Sequence, residues 1–479
     1  MIYTNRKTIG YAKPIIEITP DWFKTYTELA KNTSHHVLLE SGRGGSYSII
    51  GLSPWAILKG KNKELQITTK EGTVTKSGSL LRSLREWLQT HKVEKNKELP
   101  DFQGGIIGQF SYDIVREMEK LPEQANDDLN TDDILFMAFN EIVLIDHKKD
   151  LIWFIAIIED GNEKFGLETL IKMEKEWKEH FPTNNTYPWY VQRSKPTEKI
   201  IERSFTEEQF VTAVKKTQKY ITSGDVFQVN LSVRETRDIQ THPLHIYDCL
   251  RRVNPSPYMG YFHFPHIQYV GASPELLVKI KEDEVSTRPI AGTRSRGETA
   301  EEDLRLANTL IGNEKERAEH IMLVDLERND LGRVCEYGSV EVNELMVIEK
   351  YSHVMHIVSN VRGKKSKKAD ALDVVTATFP GGTITGAPKI RTMEIIEELE
   401  PVRRGAYTGS LGWIGYNGDM EINISIRTMV VKDDLVHVQA GAGIVIDSIP
   451  EAEFKESLKK AKALWKAKEM SEEELKTLV

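Results

Sequence analysis

The chain has 479 residues, 39% of them apolar, a net charge of −8 and an isoelectric point of about 6.0. That balance argues against non-specific nucleic-acid binding, which needs a concentrated basic surface. Two cysteines, Cys249 and Cys335, are too few for a disulfide framework, lack metal-site spacing and suit a reducing cytoplasm.

The length predicts two or three domains, or one large composite fold. The opening MIYTNRKTIGYAKP has no apolar core of signal-peptide length, and LIWFIAII (151–158) is far too short to span a membrane. A cytoplasmic protein without membrane or nucleic-acid partners is therefore expected.

In chain order, NEIVLIDHKKDLIWFIAII (140–158) is two apolar runs split by a polar turn, which predicts a hairpin. The proline-bearing stretch EHFPTNNTYPWYVQRSKPT (179–197) reads as a linker between regions 1–185 and 200–470. Beyond it, Ser204 and Glu207 have capping-box spacing, Phe210, Val214, Thr217 and Ile221 follow at helical intervals, and Gly224 ends the helix. Thr299 and Glu302 repeat the device, and a long helix is expected through NEKERAEHIMLVDLE (313–327). Near the C-terminus, LGWIGY meets the turn Asn417-Gly418, a strong hairpin signal. EINISIRTMVV then reads as one strand, with Ile422, Ile424 and Ile426 on one face and Glu421, Asn423, Ser425 and Arg427 on the other. LVHVQAGAGIVI follows as a further strand, and a last helix covers 451–467. Long helices with hairpins, and no strand–helix alternation, predict an α+β fold with antiparallel sheets.

Several clusters have both a functional and a structural explanation. FPGGTITGAPKIRTMEIIEELE (379–400) places glycines ahead of Pro388 and a helix, an anion-binding helix start or a plain turn. Glu316 and Glu319 share one helix face, as do Glu453, Glu456 and Lys460. Such carboxylates suit Mg²⁺, although Glu456–Lys460 is also an ordinary surface pair. Arg427 is either a carboxylate clamp or part of a solvated strand face. Gly441-Ala442-Gly443 would bring backbone close to a ligand or form a bulge. His353 and His356 are each a general base or a satisfied core histidine, and DLERNDLGR (325–333) equally suits a salt-bridge cluster.

The order of these motifs carries a resemblance. GDVFQVNLS (224–232), GASPE (271–275), RPIAGT (288–293), EKERAEHIMLVDLERNDLGRV (314–334), YSHVMHIVS (351–359), the 379–401 segment, IRT (426–428), GAGIV (441–445) and Lys455–Ser457 are similar to the chorismate-utilising enzymes, over about residues 200–467. This family includes the large subunits of anthranilate synthase and aminodeoxychorismate synthase. The resemblance implies two packed antiparallel β-sheets flanked by helices. It implies that Glu319 and Glu456 bind Mg²⁺, with Lys460 beside the ion. Tyr407 and Arg427 would hold the enolpyruvyl carboxylate near the backbone of Gly441 and Gly443, Thr383 and His356 would line the ring, and Glu275 would be the general acid for the C4 hydroxyl. LLESGRGGSYSIIG (38–51) resembles part of a tryptophan pocket, implying a lining of Leu39, Glu40, Ser41, Tyr47, Pro257, Tyr258 and Met259.

Water-adding members carry a lysine where this chain has Gln228, which is no base. Ammonia is the nucleophile the resemblance implies, and a glutamine amidotransferase subunit its source. Ala291 resembles the anthranilate branch. FPGGTITGAPK, Asn230 and YTGSLGW (407–413) resemble the aminodeoxychorismate branch, and several whole motifs outweigh one position. The expected product is 4-amino-4-deoxychorismate, for 4-aminobenzoate and folate synthesis. Anthranilate, or a chorismate-binding regulator without catalysis, is the alternative.

Overall fold

The computed structural model describes residues 6–41, 46–181, 202–350 and 354–478. Most of the expected linker, residues 42–45 of the LLES stretch, and His353 lie outside the described residues.

Two 12-stranded antiparallel sheets carry the fold, as the α+β expectation requires. Strands from residues before 185 and after 200 enter both sheets. In the first, His36–Glu40 pairs with Tyr258–Phe264; in the second, Gly105–Phe110 pairs with Ser410–Gly415. Between the sheets lies a core that includes Val37, Phe102, Ile107, Phe139, Phe262, Tyr269 and Trp413. Amphipathic helices cover the outer faces: Trp22–Ala30, Glu163–Glu179 and Pro243–Val253 lie on the first sheet, Leu80–Thr90 and Ala371–Thr378 on the second.

Many local expectations hold. Glu141–Asp146 and Leu151–Glu159 form the hairpin, Ser410–Gly415 and Met420–Ile424 the second one, and Gly418 takes φ 91° between them. Thr299 caps its helix through the Glu302 N–H. The capping box before residue 210 is shifted by two residues: Thr206 and Gln209 form it. Ser204 instead extends the sheet edge, exchanging bonds of 2.9 Å with the Arg234 backbone, so the helix starts later.

The larger correction concerns EINISIRTMVV. It is not one strand: Met420–Ile424 belongs to the second sheet and Thr428–Lys432 to the first. Arg427 makes the crossing with φ 51°. Asn423 and Ser425, expected on a polar face, are buried between the sheets. A second crossing runs alongside, from Ile267–Ser273 in the first sheet to Leu276–Lys281 in the second, and carries Glu275. The crossings are bonded together: Ile424 N–H donates to Glu275 O (3.0 Å), Ala272 N–H to Arg427 O (3.0 Å), and Ser273 Oγ to Ile424 O (2.6 Å). Strands that switch sheets make the corners of such packings.

Candidate active site

Side chains of opposite kinds alternate along the Gln228–Asp238 strand. Val229, Leu231 and Val233 enter an apolar cluster with Ile395, Ala442 and Ile444. Gln228 and Asn230 therefore face the other way. The partner strand Leu435–Ile444 meets them with glycines. A Cβ on Gly443 would stand 2.4 Å from Gln228 Nε2, and one on Gly441 would stand 2.6 Å from Asn230 Oδ1 and 2.9 Å from the Tyr407 hydroxyl. The two glycines make room for the side chains above them.

Gln228 Nε2 donates to Glu319 Oε1 (3.2 Å), on the first turns of the Glu314–Gly332 helix. Lys460 Nζ donates to Gly441 O (2.9 Å) and pairs with Glu456 (3.0 Å), both on the C-terminal helix Pro450–Leu478. Lys315 also lies within electrostatic reach of Glu453, near the start of the C-terminal helix. One strand of the pair thus meets Glu319 through Gln228, and the other meets Lys460 through the Gly441 carbonyl.

The sheet crossings supply the other wall. Glu275 is buried, and burial pushes its carboxyl up to about 7 against smaller opposing pulls from Thr383 and the Ile290 N–H. Glu275 Oε1 and Thr383 Oγ1 are both buried; they lie close enough for Thr383 to pull on the carboxyl but complete no well-aligned hydrogen bond among the described residues. Arg427 is half-buried, its partial desolvation lowers its pKa, and no carboxylate pairs with it among the described residues. His356 Nδ1 lies 3.0 Å from Thr293 Oγ1 and 3.1 Å from Gly292 O, a contact that needs a proton on Nδ1. Burial holds that imidazole below its ordinary value, and the Arg427 charge adds to the effect. Ala291 is buried and opposite Ile357, with Glu316 against the next residue, Gly292.

Three supporting residues carry no sequence signal that singles them out. Arg404, joined to Glu400 by a buried ion pair (2.7 Å), donates to Asn230 O (2.7 Å) and Ile384 O (3.0 Å) and lies over the Tyr407 ring. Its spacing from Glu400 looks like any surface i,i+4 pair. Glu327, within DLERND, turns its carboxyl toward Glu275 and Thr287, and burial raises it well above the ordinary range.

The expected tryptophan-pocket residues also meet. Leu39, Glu40, Ser41, Tyr47, Pro257, Tyr258 and Met259 all line one cavity of about 450 Å³, together with Phe102 and Trp413. Glu40 accepts from Arg251 Nε (2.7 Å) and Nη2 (2.9 Å) and from Tyr247 Oη (2.7 Å). Elsewhere His245, Cys249 and Glu474 lie close enough to hold a metal ion. Arg252 already binds both Glu474 oxygens (2.8 and 3.0 Å), so this cluster latches two helices together.

A model of the chorismate-binding enzymes matches residues 34–466. The chain belongs to the chorismate-binding enzyme family. Among its relatives in this family, aminodeoxychorismate synthase component 1 of Bacillus subtilis is 53% identical over 95% of this chain and 96% of its own. Anthranilate synthase component 1 of Aquifex aeolicus is 42% identical over 94% and 92%. The crystal structure of anthranilate synthase component I from Streptococcus pneumoniae superposes with a TM-score of 0.76 at 35% identity, over 89% of this chain and 93% of that one. No helix among the described residues is long and apolar enough to cross a membrane.

Proposed function

We propose that this chorismate-binding enzyme is the large subunit of an aminodeoxychorismate synthase, forming 4-amino-4-deoxychorismate from chorismate and ammonia. The observation that carries the chemistry is the presence, on two crossings bonded to each other, of Arg427, a half-buried arginine with no carboxylate partner among the described residues, and Glu275, a buried acid. Chorismate is a dianion, so an unpaired guanidinium suits its carboxylate. Hydroxide is a poor leaving group, and an acid that titrates near neutral pH suits its departure.

Arg427 and Tyr407 hold the enolpyruvyl carboxylate. Thr383 and His356 line the ring and orient it. Glu275 gives its proton to the C4 hydroxyl oxygen as the carbon–oxygen bond breaks, so the group leaves as water. Gln228 cannot take a proton from water, which favours ammonia as the nucleophile. Glu319 and Glu456 are hard oxygen donors that suit Mg²⁺, and the ion when bound supplies positive charge to the ring carboxylate. Ala291 offers no nucleophile, so no covalent adduct forms on that side chain.

A glutamine amidotransferase subunit supplies the ammonia. Phe227, next to Gln228 in sequence, and Ile446 and Ile449, beyond Gly443, are exposed apolar residues that such a subunit would cover. The cavity around Tyr258 takes a tryptophan-like effector. A second reading, anthranilate synthase, is favoured by Ala291 in the PIAGT sequence.

One assay separates these. The purified chain is given chorismate, Mg²⁺ and ammonium. A product that yields 4-aminobenzoate only after a lyase is added supports the proposal. Fluorescent anthranilate with pyruvate release supports the second reading. No turnover points to a regulator.

A further inference from the structure

Asn230 has both ends of its backbone fixed. Its N–H donates to Thr385 O (2.8 Å) and its carbonyl accepts from Arg404 Nη2 (2.7 Å). The side chain therefore leaves a fixed main chain, on the face shared with Gln228. There its carboxamide and the Tyr407 hydroxyl crowd the same glycine, 2.6 and 2.9 Å from the position a Gly441 Cβ would occupy. Asn230 Oδ1 is buried and has no donor among the described residues. A carboxamide with only a structural task is normally bonded to its neighbours. An apolar side chain of the same shape would fill this space without an unmet polar atom.

Two cations approach this glycine and tyrosine. Lys460, paired with Glu456, reaches the Gly441 carbonyl, and Arg404, paired with Glu400, stacks over Tyr407. A half-turn exchanges the two ends of a carboxamide, so the position offers an N–H as readily as a carbonyl. Chorismate carries two carboxylates and an ether oxygen against a single hydroxyl donor, so an N–H is what it calls for.

We propose that Asn230 is a substrate-binding residue whose carboxamide donates to the same side-arm carboxylate that Tyr407 and Arg427 hold. This rests on the chorismate reading above. It adds a third contact and makes Gly441 the floor on which two of the three sit.

The test compares Asn230→Leu, Asn230→Asp and the milder Asn230→Ser with the parent chain in the presence of Mg²⁺. Chorismate affinity is measured by calorimetry, and the KM for ammonium is measured without an amidotransferase. Asn230→Leu weakens chorismate about 10-fold, the loss of one hydrogen bond to a charged group. Asn230→Asp weakens it about 100-fold, because a carboxylate then opposes a carboxylate. The ammonium KM stays within about twofold, since the contact is to the side arm. Asn230→Leu melts no lower than the parent, which separates lost binding from lost folding, and Asn230→Ser supplies the affinity measurement if the others misfold. Unchanged chorismate affinity in all three overturns the inference. So does a rise in ammonium KM alone, which would give Asn230 to the nucleophile. If the parent does not bind chorismate, the chorismate reading falls and this inference with it. If the parent binds and the variants bind equally, only the inference falls.

Discussion

The candidate active site and the cavity near Tyr258 treat charge in opposite ways. In the active site, Arg427 pairs with no carboxylate, and Glu275 Oε1, Thr383 Oγ1 and Asn230 Oδ1 complete no well-aligned hydrogen bond, among the described residues. Around the cavity, Glu40 is held by Arg251 and Tyr247, Lys279 by Glu421 (2.6 Å) and Lys281 by Asp101 (3.0 Å). A buried polar group without a partner costs stability. One space therefore leaves polar groups for a ligand to satisfy, and in the other the charges are already paired.

Mutations can break or sharpen this contrast. The largest expected effect is on turnover. Glu319→Gln or Glu456→Gln abolishes it in the chorismate, Mg²⁺ and ammonium assay, and normal activity in both removes the metal assignment. Glu275→Gln lowers kcat by about 10²–10⁴-fold, the usual worth of a general acid. In the parent, kcat/KM falls as pH rises through about 7, where Glu275 of the free protein loses its proton. The same raised pKa makes the folded state bind the proton more tightly than the unfolded chain does. Stability is lost as pH rises from the ordinary carboxylate value of 4.5 toward about 7. Glu275→Gln removes that loss, so at pH 8 the inactive variant is more stable by up to about 3 kcal/mol in urea unfolding, and by little at pH 4.

Charge deletions give the direct comparison. Arg427→Gln weakens chorismate about 100-fold or more, yet leaves the free protein as stable as the parent or more so, since no protein carboxylate loses its partner. Glu40→Gln leaves half-buried Arg251 with only the longer Asp248 contact (3.5 Å) and destabilises the fold by about 2 kcal/mol. Equal losses of stability in both variants would end the contrast.

The smallest effect concerns pH near the cavity. His36 stacks on His263 at 4.7 Å, and His263 on His242 at 6.0 Å. Burial lowers all three, His242 and His263 to about 4, and the neighbouring imidazoles lower them further. The unfolded chain takes up these protons below about 6.5, so stability is lost as pH falls from about 6.5 toward about 4. His263→Phe flattens that part of the urea-midpoint profile.

Much of this was legible from residues alone where the signal is local. Asn417-Gly418 fixes its turn because glycine takes φ 91° without strain. Thr299 caps because its hydroxyl meets the Glu302 N–H. The sheet crossing at Arg427 was not legible, because alternation reports which way side chains point and not which sheet a strand joins. Ile422 and Ile424 alternate as expected, yet the chain leaves its sheet directly after them. Ser204 failed as a cap because a partner 30 residues away in sequence, Arg234, claimed it. Arg404 and Asn230 depend on neighbours that no spacing reveals.

The two crossings that carry Glu275 and Arg427 are stitched to each other by two main-chain bonds and the Ser273 hydroxyl, as well as to the layers they join. When the layers flex, the proton donor and the anchor for the ligand must travel as one body. Their spacing is therefore insulated from the breathing of the scaffold, and substitutions that loosen either layer should alter how tightly the pocket shuts before they alter the alignment of acid and anchor.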